Sequence, residues 1–185
     1  MLRVLIKLDW QKIYDSKWTE LKNLVWPILV RSEKTDNGYK NILIRWFEGN
    51  FVRLEEYSYH SEKLGKDLEW VNLVMDDDWE ERQLRVGWNS ISRSMINSLA
   101  GGDKELGKLN IRVYGNVKWE FTYPCISIRN NWERTEWYYG IDQQKSMIKT
   151  IETSKWNIKD YGEYETALKL LIPTINEKLA DNKPF

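Results

Sequence analysis

The clearest pattern in this sequence is an alternation of apolar and polar residues between Lys108 and Tyr139. Its first apolar positions are Leu109, Ile111 and Val113. A period of two places successive side chains on opposite faces of a β-strand. Gly115-Asn116 and Asn130-Asn131 are typical of tight turns. The stretch therefore predicts an antiparallel meander, with a final strand from Arg134 to Tyr139.

Similar alternation predicts strands in the first half of the chain. They cover Leu2–Leu8, Val25–Arg31, Tyr39–Phe47, Phe51–Tyr59, Leu68–Met75 and Trp79–Gly87. Asn37-Gly38 indicates a hairpin turn between the second and third strands, and Glu48-Gly49-Asn50 indicates a turn before the fourth. In the fourth strand, Val52 and Leu54 are expected to face the core, with Phe51 on the opposite side.

Capping residues and helical spacing predict four helices. They are a short helix capped by Asp15 or Ser16 and ending at Leu21, one capped by Asn89 or Ser90 and ending near Leu99, Gln143–Thr153, and Asp160–Leu179. Pro173 should kink or divide the last helix, because proline cannot donate the helical hydrogen bond.

This order of elements is that of the OB-fold, a small Greek-key barrel. We therefore expect a mainly β fold with α-helices: an OB-like barrel of antiparallel strands, one inserted helix and C-terminal helices. A β-sandwich with an inserted helix fits the same order. The β domain is predicted to cover residues 1–140, and a helical segment with a short tail residues 141–185.

The composition narrows the classes of function. The 185 residues include 28 Lys and Arg and 28 Asp and Glu, so binding through bulk positive charge is not expected. One cysteine excludes an internal disulfide and suits a reducing compartment. No apolar run approaches the length of a membrane span. We expect a cytoplasmic protein, located in the bacterial host cell if a phage encodes it.

Aromatic residues are unusually frequent: the chain has 11 Trp and 10 Tyr against 4 Phe. The predicted strands place many of these rings beside basic residues on one side of the sheet. The members of this predicted platform are Arg45, Phe47, Phe51, Arg53, Tyr57, Trp70, Arg112, Tyr114, Lys118, Arg129 and Tyr138. Such a surface can stack bases on its rings and bind phosphates through its basic groups. The alternative is burial beneath the C-terminal helices or in a subunit interface.

The sequence offers little for catalysis. The Asp76–Asp78 run, with Glu80 and Glu81, is interpreted as a solvated hairpin tip, because adjacent carboxylates on a strand point to opposite faces. The only histidine, His60, is expected in a surface loop, and Cys125 is expected to be buried and inert. We therefore predict a protein that is not an enzyme, with no catalytic residues, metal site or cofactor.

Three features resemble single-stranded DNA-binding proteins of the bacterial and phage OB-fold kind. They are the aromatic, strand-rich body, the segment ILIRWFEGNFVRLEEY in which Arg45, Trp46, Phe47, Phe51 and Arg53 alternate, and the terminal Pro184-Phe185. The resemblance implies binding of single-stranded DNA, with RNA as an alternative, in replication or recombination. It also implies that replication proteins dock on Pro184 and Phe185.

Two other classes of function fit the same aromatic face. A structural or virion assembly protein would bury it between subunits of an oligomer. A carbohydrate-binding β-sandwich would stack its rings on sugars and would not need neighbouring arginines.

Overall fold

The computed structural model describes residues 2–7, 12–22, 24, 28–36, 38–77, 80–102, 105–118, 121–154 and 156–179. Pro184 and Phe185 lie outside the described residues. The described strands are β1 (Leu2–Lys7), β2 (Ile13–Tyr14), β3 (Ile28–Thr35), β4 (Gly38–Ile44), β5 (Phe47–Ser61), β6 (Lys66–Asp77), β7 (Glu80–Gly87), β8 (Lys108–Lys118), β9 (Phe121–Asn130), β10 (Glu133–Arg134), β11 (Lys149–Glu152) and β12 (Asn157–Asp160). The described helices are α1 (Ser90–Ala100), α2 (Ile141–Met147), α3 (Gly162–Lys169) and α4 (Ile172–Glu177).

Ten of the described strands form one sheet in the order β10-β9-β8-β5-β6-β7-β1-β3-β4-β2. Neighbouring strands are antiparallel except for the parallel pairs β7–β1 and β4–β2. Because this order has two ends, the sheet formed by the described strands is open. It is nevertheless curled: β3 approaches β8, and Leu29 shares a core cluster with Phe47 and Ile111. The mainly β fold with helices is confirmed, whereas an OB-like closed barrel and a two-sheet sandwich are not.

Helix α1 is the centre of the core on one side of the sheet. Every residue from Met95 to Ala100 is buried. The helix packs against β9 and β7, and α3 and α4 pack against it in turn. Tyr164, Leu168 and Ile175 of the C-terminal helices belong to the same cluster of buried residues as the sheet. The predicted division at residue 140 is not tested, but the two segments share this core.

Polar side chains satisfy the backbone of α1, as its burial requires. Asn89 caps the N-terminus: its side chain accepts from the amides of Ile91 and Ser92, and the Ser92 hydroxyl accepts from the Asn89 amide. At the other end, Lys178 Nζ donates to the Ala100 carbonyl at 2.6 Å. A cation is favourable there because the last carbonyls of a helix carry partial negative charge. The predicted cap and length of this helix are confirmed.

A β-bulge changes which face of β5 is buried. The register with β6 shifts between Phe51 and Arg53, so Val52 is an extra residue in the ladder. Phe51 and Leu54 are consequently both buried, with 3% and 1% of their surface exposed. The core position of Leu54 is confirmed, but the prediction that Phe51 faces away from the core is wrong. A prediction that assumes unbroken alternation of apolar and polar residues cannot include a bulge residue such as Val52.

Two of the glycine turns predicted from the sequence are wrong, because both glycines lie inside strands. Gly49 is in β5, where a Cβ would come within 2.8 Å of the Asp76 carbonyl oxygen. The lack of a side chain therefore allows β5 and β6 to approach each other at this position. Gly115-Asn116 is in β8, paired with Pro124 and Tyr123 of β9. The ladder of β8 and β9 instead continues to the pair Lys118–Phe121, and both strands are longer than predicted.

One predicted helix is absent from the described residues, and another is shorter than predicted. Asp15 accepts hydrogen bonds from the amides of Lys17 and Thr19 in a turn, and no helix forms at 12–22. The predicted helix Gln143–Thr153 ends early, since α2 stops at Met147 and the chain continues as the exposed hairpin β11–β12. In the last predicted helix, Pro173 divides α3 from α4 as expected, at a position near an N-terminus where its missing amide hydrogen is tolerated.

One side chain links the C-terminal helices to the bulged strand. The Asn176 amide accepts from the Leu54 amide at 2.7 Å and donates to the Leu54 carbonyl at 3.0 Å. We predict that Asn176→Ala lowers the free energy of unfolding by about 2 kcal/mol, because two buried backbone groups lose their partner. Chemical denaturation would measure it. Asn50→Ala, which removes an exposed amide from the same strand, should change stability by less than about 0.5 kcal/mol; equal losses in the two variants would contradict the prediction.

Because of Tyr164, the free energy of unfolding is expected to depend on pH in the alkaline range. Burial raises the pKa of its hydroxyl to about 12, against about 10 for an unfolded tyrosine. Between these values the unfolded chain releases this proton while the folded chain keeps it, so stability falls as pH rises. We predict that the free energy of unfolding of Tyr164→Phe falls less steeply than that of the unmodified chain above pH 10. Parallel slopes would contradict this assignment.

Candidate functional site

The structure separates the residues of the predicted platform. Phe47 and Phe51 lie in the core, with 2% and 3% of their surface exposed, so the prediction that they form part of an accessible face is wrong. Both precede the bulge in β5 and therefore share the inward phase. Their rings stabilise the sheet and are out of reach of a ligand.

A second group lies on β5 and β6. Arg53 forms ion pairs with Glu55 and with Glu81, the latter at 2.9 Å, and these carboxylates raise the pKa of its guanidinium. The same contact lowers the pKa of the Glu81 carboxyl. Tyr57 is exposed with the Arg85 guanidinium 5.2 Å from its ring centre, and Trp70 is half-buried. Because the charge of Arg53 is neutralised, this group is a weak anion site.

A third group, Arg112, Tyr114 and Arg129, lies together in a groove of about 980 Å³. We call it the β9 groove, because it is lined by the consecutive β9 residues Pro124–Arg129 together with residues of β8, β10 and α1. Both faces of β9 thus border the groove. Arg45 and Tyr138 are exposed but do not line it, and the Lys118 side chain is outside the described part of the chain.

Strand register brings the arginines of the groove together. Asn110 of β8 is paired with Arg129 of β9, which is paired with Arg134 of β10. Directly paired residues project on the same face of a sheet, and residues two positions away are diagonal neighbours. Arg112, two positions from Asn110, is therefore diagonal to Arg129. Three guanidinium groups from three adjacent strands share one surface.

These three arginines differ from most others in the chain. Arg31, Arg53, Arg82 and Arg93 each contact a carboxylate. Arg112, Arg129 and Arg134 form no ion pair within the described residues, and none of the side chains that line the groove is acidic. Like charges directly opposite each other destabilise a sheet. Such a cluster is stabilised when an anion binds it.

The row of paired residues that contains Asn110, Arg129 and Arg134 begins on β5 with Glu48, whose carboxylate already has partners. Glu48 of β5 is paired with Asn110. Its carboxylate accepts from the Asn110 amide at 3.0 Å and lies 3.7 Å from Lys108 Nζ. Glu48 does not line the groove, so the positive charge of the arginines is left for a ligand.

Aromatic rings border this cluster. The four that line the groove are Trp46, Tyr114, Trp132 and Trp137, and all are exposed, Trp132 by 61%. Tyr114 was predicted on the platform; the three tryptophans were not. Flat, accessible rings beside guanidinium groups can bind flat, anionic molecules by stacking and charge together.

Trp132 is held in an unfavourable backbone conformation. It and Asn131 form the turn between β9 and β10, with φ of 68° and 50°. Both central residues of such a turn have positive φ, a conformation that favours asparagine and glycine. Asn131 suits its position and also accepts a hydrogen bond from the Lys108 amide at 3.0 Å. Tryptophan is not favoured at positive φ, so the turn exposes the large ring of Trp132 at a cost in stability.

Helix α1 supplies hydroxyl groups on the other wall of the groove. Ser94 and Ser98 are one helical turn apart, and both line the groove. Ser98 is only 6% exposed. Neither hydroxyl has a hydrogen-bond partner within the described part of the chain. A ligand in the groove could supply a hydrogen-bond partner for each of them.

Arg134, Trp132 and the serines of α1 were missed by the sequence analysis. A signal for Arg134 existed: a two-residue turn at 131–132 pairs residue 129 with residue 134. The turn was predicted one residue too early, at Asn130-Asn131, so this pairing was not recognised. Ser94 and Ser98 have no local signal, because their place beside β9 depends on how α1 packs.

Other candidate chemistry is weakly supported. Asp77 forms an ion pair with Arg82 at 2.6 Å in the β6–β7 hairpin, and Asp78 lies outside the described residues. Among the residues that the structure describes, no group of three or more His, Cys, Asp or Glu side chains could hold a metal ion. His60 is exposed, with Nδ1 2.8 Å from the Asp67 carboxylate. Cys125 is half-buried and lines the groove, so the prediction that it is buried is wrong.

Comparisons with protein-family models, with curated proteins and with solved structures find no match for this chain. None of the described helices has the length and apolar character needed to cross a membrane.

The positive φ of Trp132 makes it possible to test whether its ring stabilises the fold. We predict that Trp132→Gly raises the free energy of unfolding by about 1 kcal/mol, because glycine adopts positive φ without a steric penalty. Trp132→Ala is the matched control: it removes the same ring but keeps the penalty, so its stability should change little. Chemical denaturation of both variants would decide. A loss of stability in both would mean that the ring supports the fold.

Proposed function

We propose that this protein binds single-stranded nucleic acid in the β9 groove, in replication or recombination. The observation that carries the proposal is the cluster of Arg112, Arg129 and Arg134, which have no carboxylate partner among the described residues and lie among four exposed aromatic rings. The arginines would contact phosphates and the rings would stack on bases. Each base–ring stack contributes about 1–3 kcal/mol and tolerates any base.

The arrangement favours a single strand over a duplex. In a duplex the faces of the bases are already stacked on one another, and only their edges and the backbone are accessible. The rings of the groove need free base faces, which an unpaired strand offers. The groove lies along a strand edge and is open, so it can accept part of a long polymer.

Neutral net charge is compatible with this proposal. The chain carries 28 basic and 28 acidic residues, but ion pairs neutralise Arg31, Arg53, Arg82 and Arg93 away from the groove. The local excess of positive charge then lies in the groove. The attraction of a phosphate to the groove depends on the charges close to it, because salt screens charges that are more than about 8 Å away.

As part of the same proposal, the curled sheet acts as an OB-like platform. The approach of β3 to β8, which are both interior strands of the open sheet, supports this relation. The open sheet leaves the outer edge of β9 accessible. Docking of replication proteins on Pro184 and Phe185, a cytoplasmic location and the lack of enzymatic activity stay predictions.

Intrinsic tryptophan fluorescence tests the proposal directly. Titration with oligo-dT should quench the signal, since Trp46, Trp132 and Trp137 line the groove. Rising salt should reverse the quenching, because phosphate contacts release counterions. Oligo-U in a parallel titration separates DNA from RNA preference.

Matched arginine variants locate the interaction. We predict that Arg129→Ala weakens binding and flattens the plot of log affinity against log salt by about 0.7, the contribution of one phosphate contact in a single strand. Arg53→Ala removes an arginine that is already paired with Glu55 and Glu81, and should leave affinity and slope unchanged. Equal effects of the two variants would contradict a site in the β9 groove.

Two outcomes would favour the other classes of function. Lack of quenching by either polymer, together with a salt-insensitive oligomer in size-exclusion chromatography, would favour an assembly protein. Binding to a polysaccharide that survives Arg129→Glu would favour a carbohydrate-binding protein.

A further inference from the structure

The three arginines of the β9 groove are close neighbours on three adjacent strands. Arg129 and Arg134 are directly paired across β9 and β10, which places their Cβ atoms about 5 Å apart. Arg112 is diagonal to Arg129 through the pairs Asn110–Arg129 and Arg112–Ser127, at about 7–8 Å. Their side chains are long enough to meet on a single group.

This concentration of charge exceeds what an internal phosphate offers. A phosphodiester in a nucleic acid strand carries one negative charge. A phosphate monoester carries about −1.5 to −2 at neutral pH and has three acceptor oxygens. Guanidinium groups bind such oxygens in pairs, through two parallel hydrogen bonds each. Three guanidinium groups therefore match a monoester better than a diester.

We propose that the β9 groove binds the phosphorylated end of a single strand, with the terminal phosphate held by Arg112, Arg129 and Arg134. This inference rests on the proposed function and specifies its ligand. The 5′ and 3′ phosphates share this chemistry, and the experiment below distinguishes them.

The surroundings of the cluster suit the end of a strand. Trp132 lies in the tight turn two residues before Arg134 of β10 and is 61% exposed, so the terminal base stacks on its ring while the phosphate contacts Arg134. Ser94 and Ser98 of α1 line the groove from the opposite face of β9.

The backbone strain at Trp132 agrees with this arrangement. Its φ of 68° is maintained in a turn where glycine would be more stable. Residues held in unfavourable conformations are concentrated at ligand sites. Here the strain places the ring beside the arginine cluster.

The test compares oligo-dT of one length in three forms: with a 5′ phosphate, with a 3′ phosphate, and with hydroxyl groups at both ends. Affinity is measured by tryptophan fluorescence at fixed salt. We expect one phosphorylated form to bind about tenfold more tightly than the hydroxyl form, as for added charge-assisted hydrogen bonds. Which form gains identifies the end. Equal affinity of all three would overturn the inference and leave the proposed function intact, whereas no binding of any form would overturn both.

Arginine variants then assign the effect. Arg134→Ala should weaken binding of the phosphorylated form more than binding of the hydroxyl form, and so remove the preference for the phosphorylated end. Arg134→Lys should restore part of it, because lysine keeps the charge but not the paired hydrogen bonds. Arg53→Ala should keep the full preference. If Arg134→Ala weakens all three forms by the same factor, Arg134 contacts an internal phosphate and the inference is overturned.

Discussion

Burial of α1 is the constraint on which most of this structure depends. A buried helix must satisfy the polar groups at its ends and carry apolar contacts on every side. Asn89 satisfies the first turn, and Lys178, from beyond α4, satisfies the last. Asn97 pairs with both backbone groups of Tyr139, at 2.7 Å and 3.1 Å. These contacts hold the segment after β10 and the C-terminal helices against one helix.

The same packing creates the β9 groove. Because α1 lies against β9, Ser94 and Ser98 form one wall of it. Gly101 permits the chain to return past the end of α1: a Cβ there would lie 1.9 Å from the Glu136 carbonyl oxygen. The segment that includes Trp137 is thereby held at the rim. The groove is thus a consequence of how the core is assembled, and its chemistry comes from the strands that border it.

Charge is distributed so that a neutral chain has a positive site. Carboxylates pair with arginines elsewhere on the sheet and on α1, as in Arg93–Glu165 at 2.6 Å. In the groove, strand pairing places like charges side by side, an arrangement that is unfavourable without a ligand. The strained turn at Trp132 adds a second unfavourable feature at the same groove, beside accessible rings.

The local features of this fold were determined by the sequence alone. Alternation placed Leu109, Ile111 and Val113 inward, and all are buried; Asn89 began α1 and Pro173 divided the last helices. These features depend on neighbours within a few residues, so a local pattern contains them.

Features that depend on distant partners were decided by tertiary structure. The bulge at Val52 reversed the phase of Phe47 and Phe51, and contact with β6 made Gly49 a strand residue instead of a turn. The arginine cluster needed the register of β8, β9 and β10, because a shift of one residue moves every side chain to the other face. Sequence could therefore predict that rings and arginines alternate, but pairing between strands decided which of them meet.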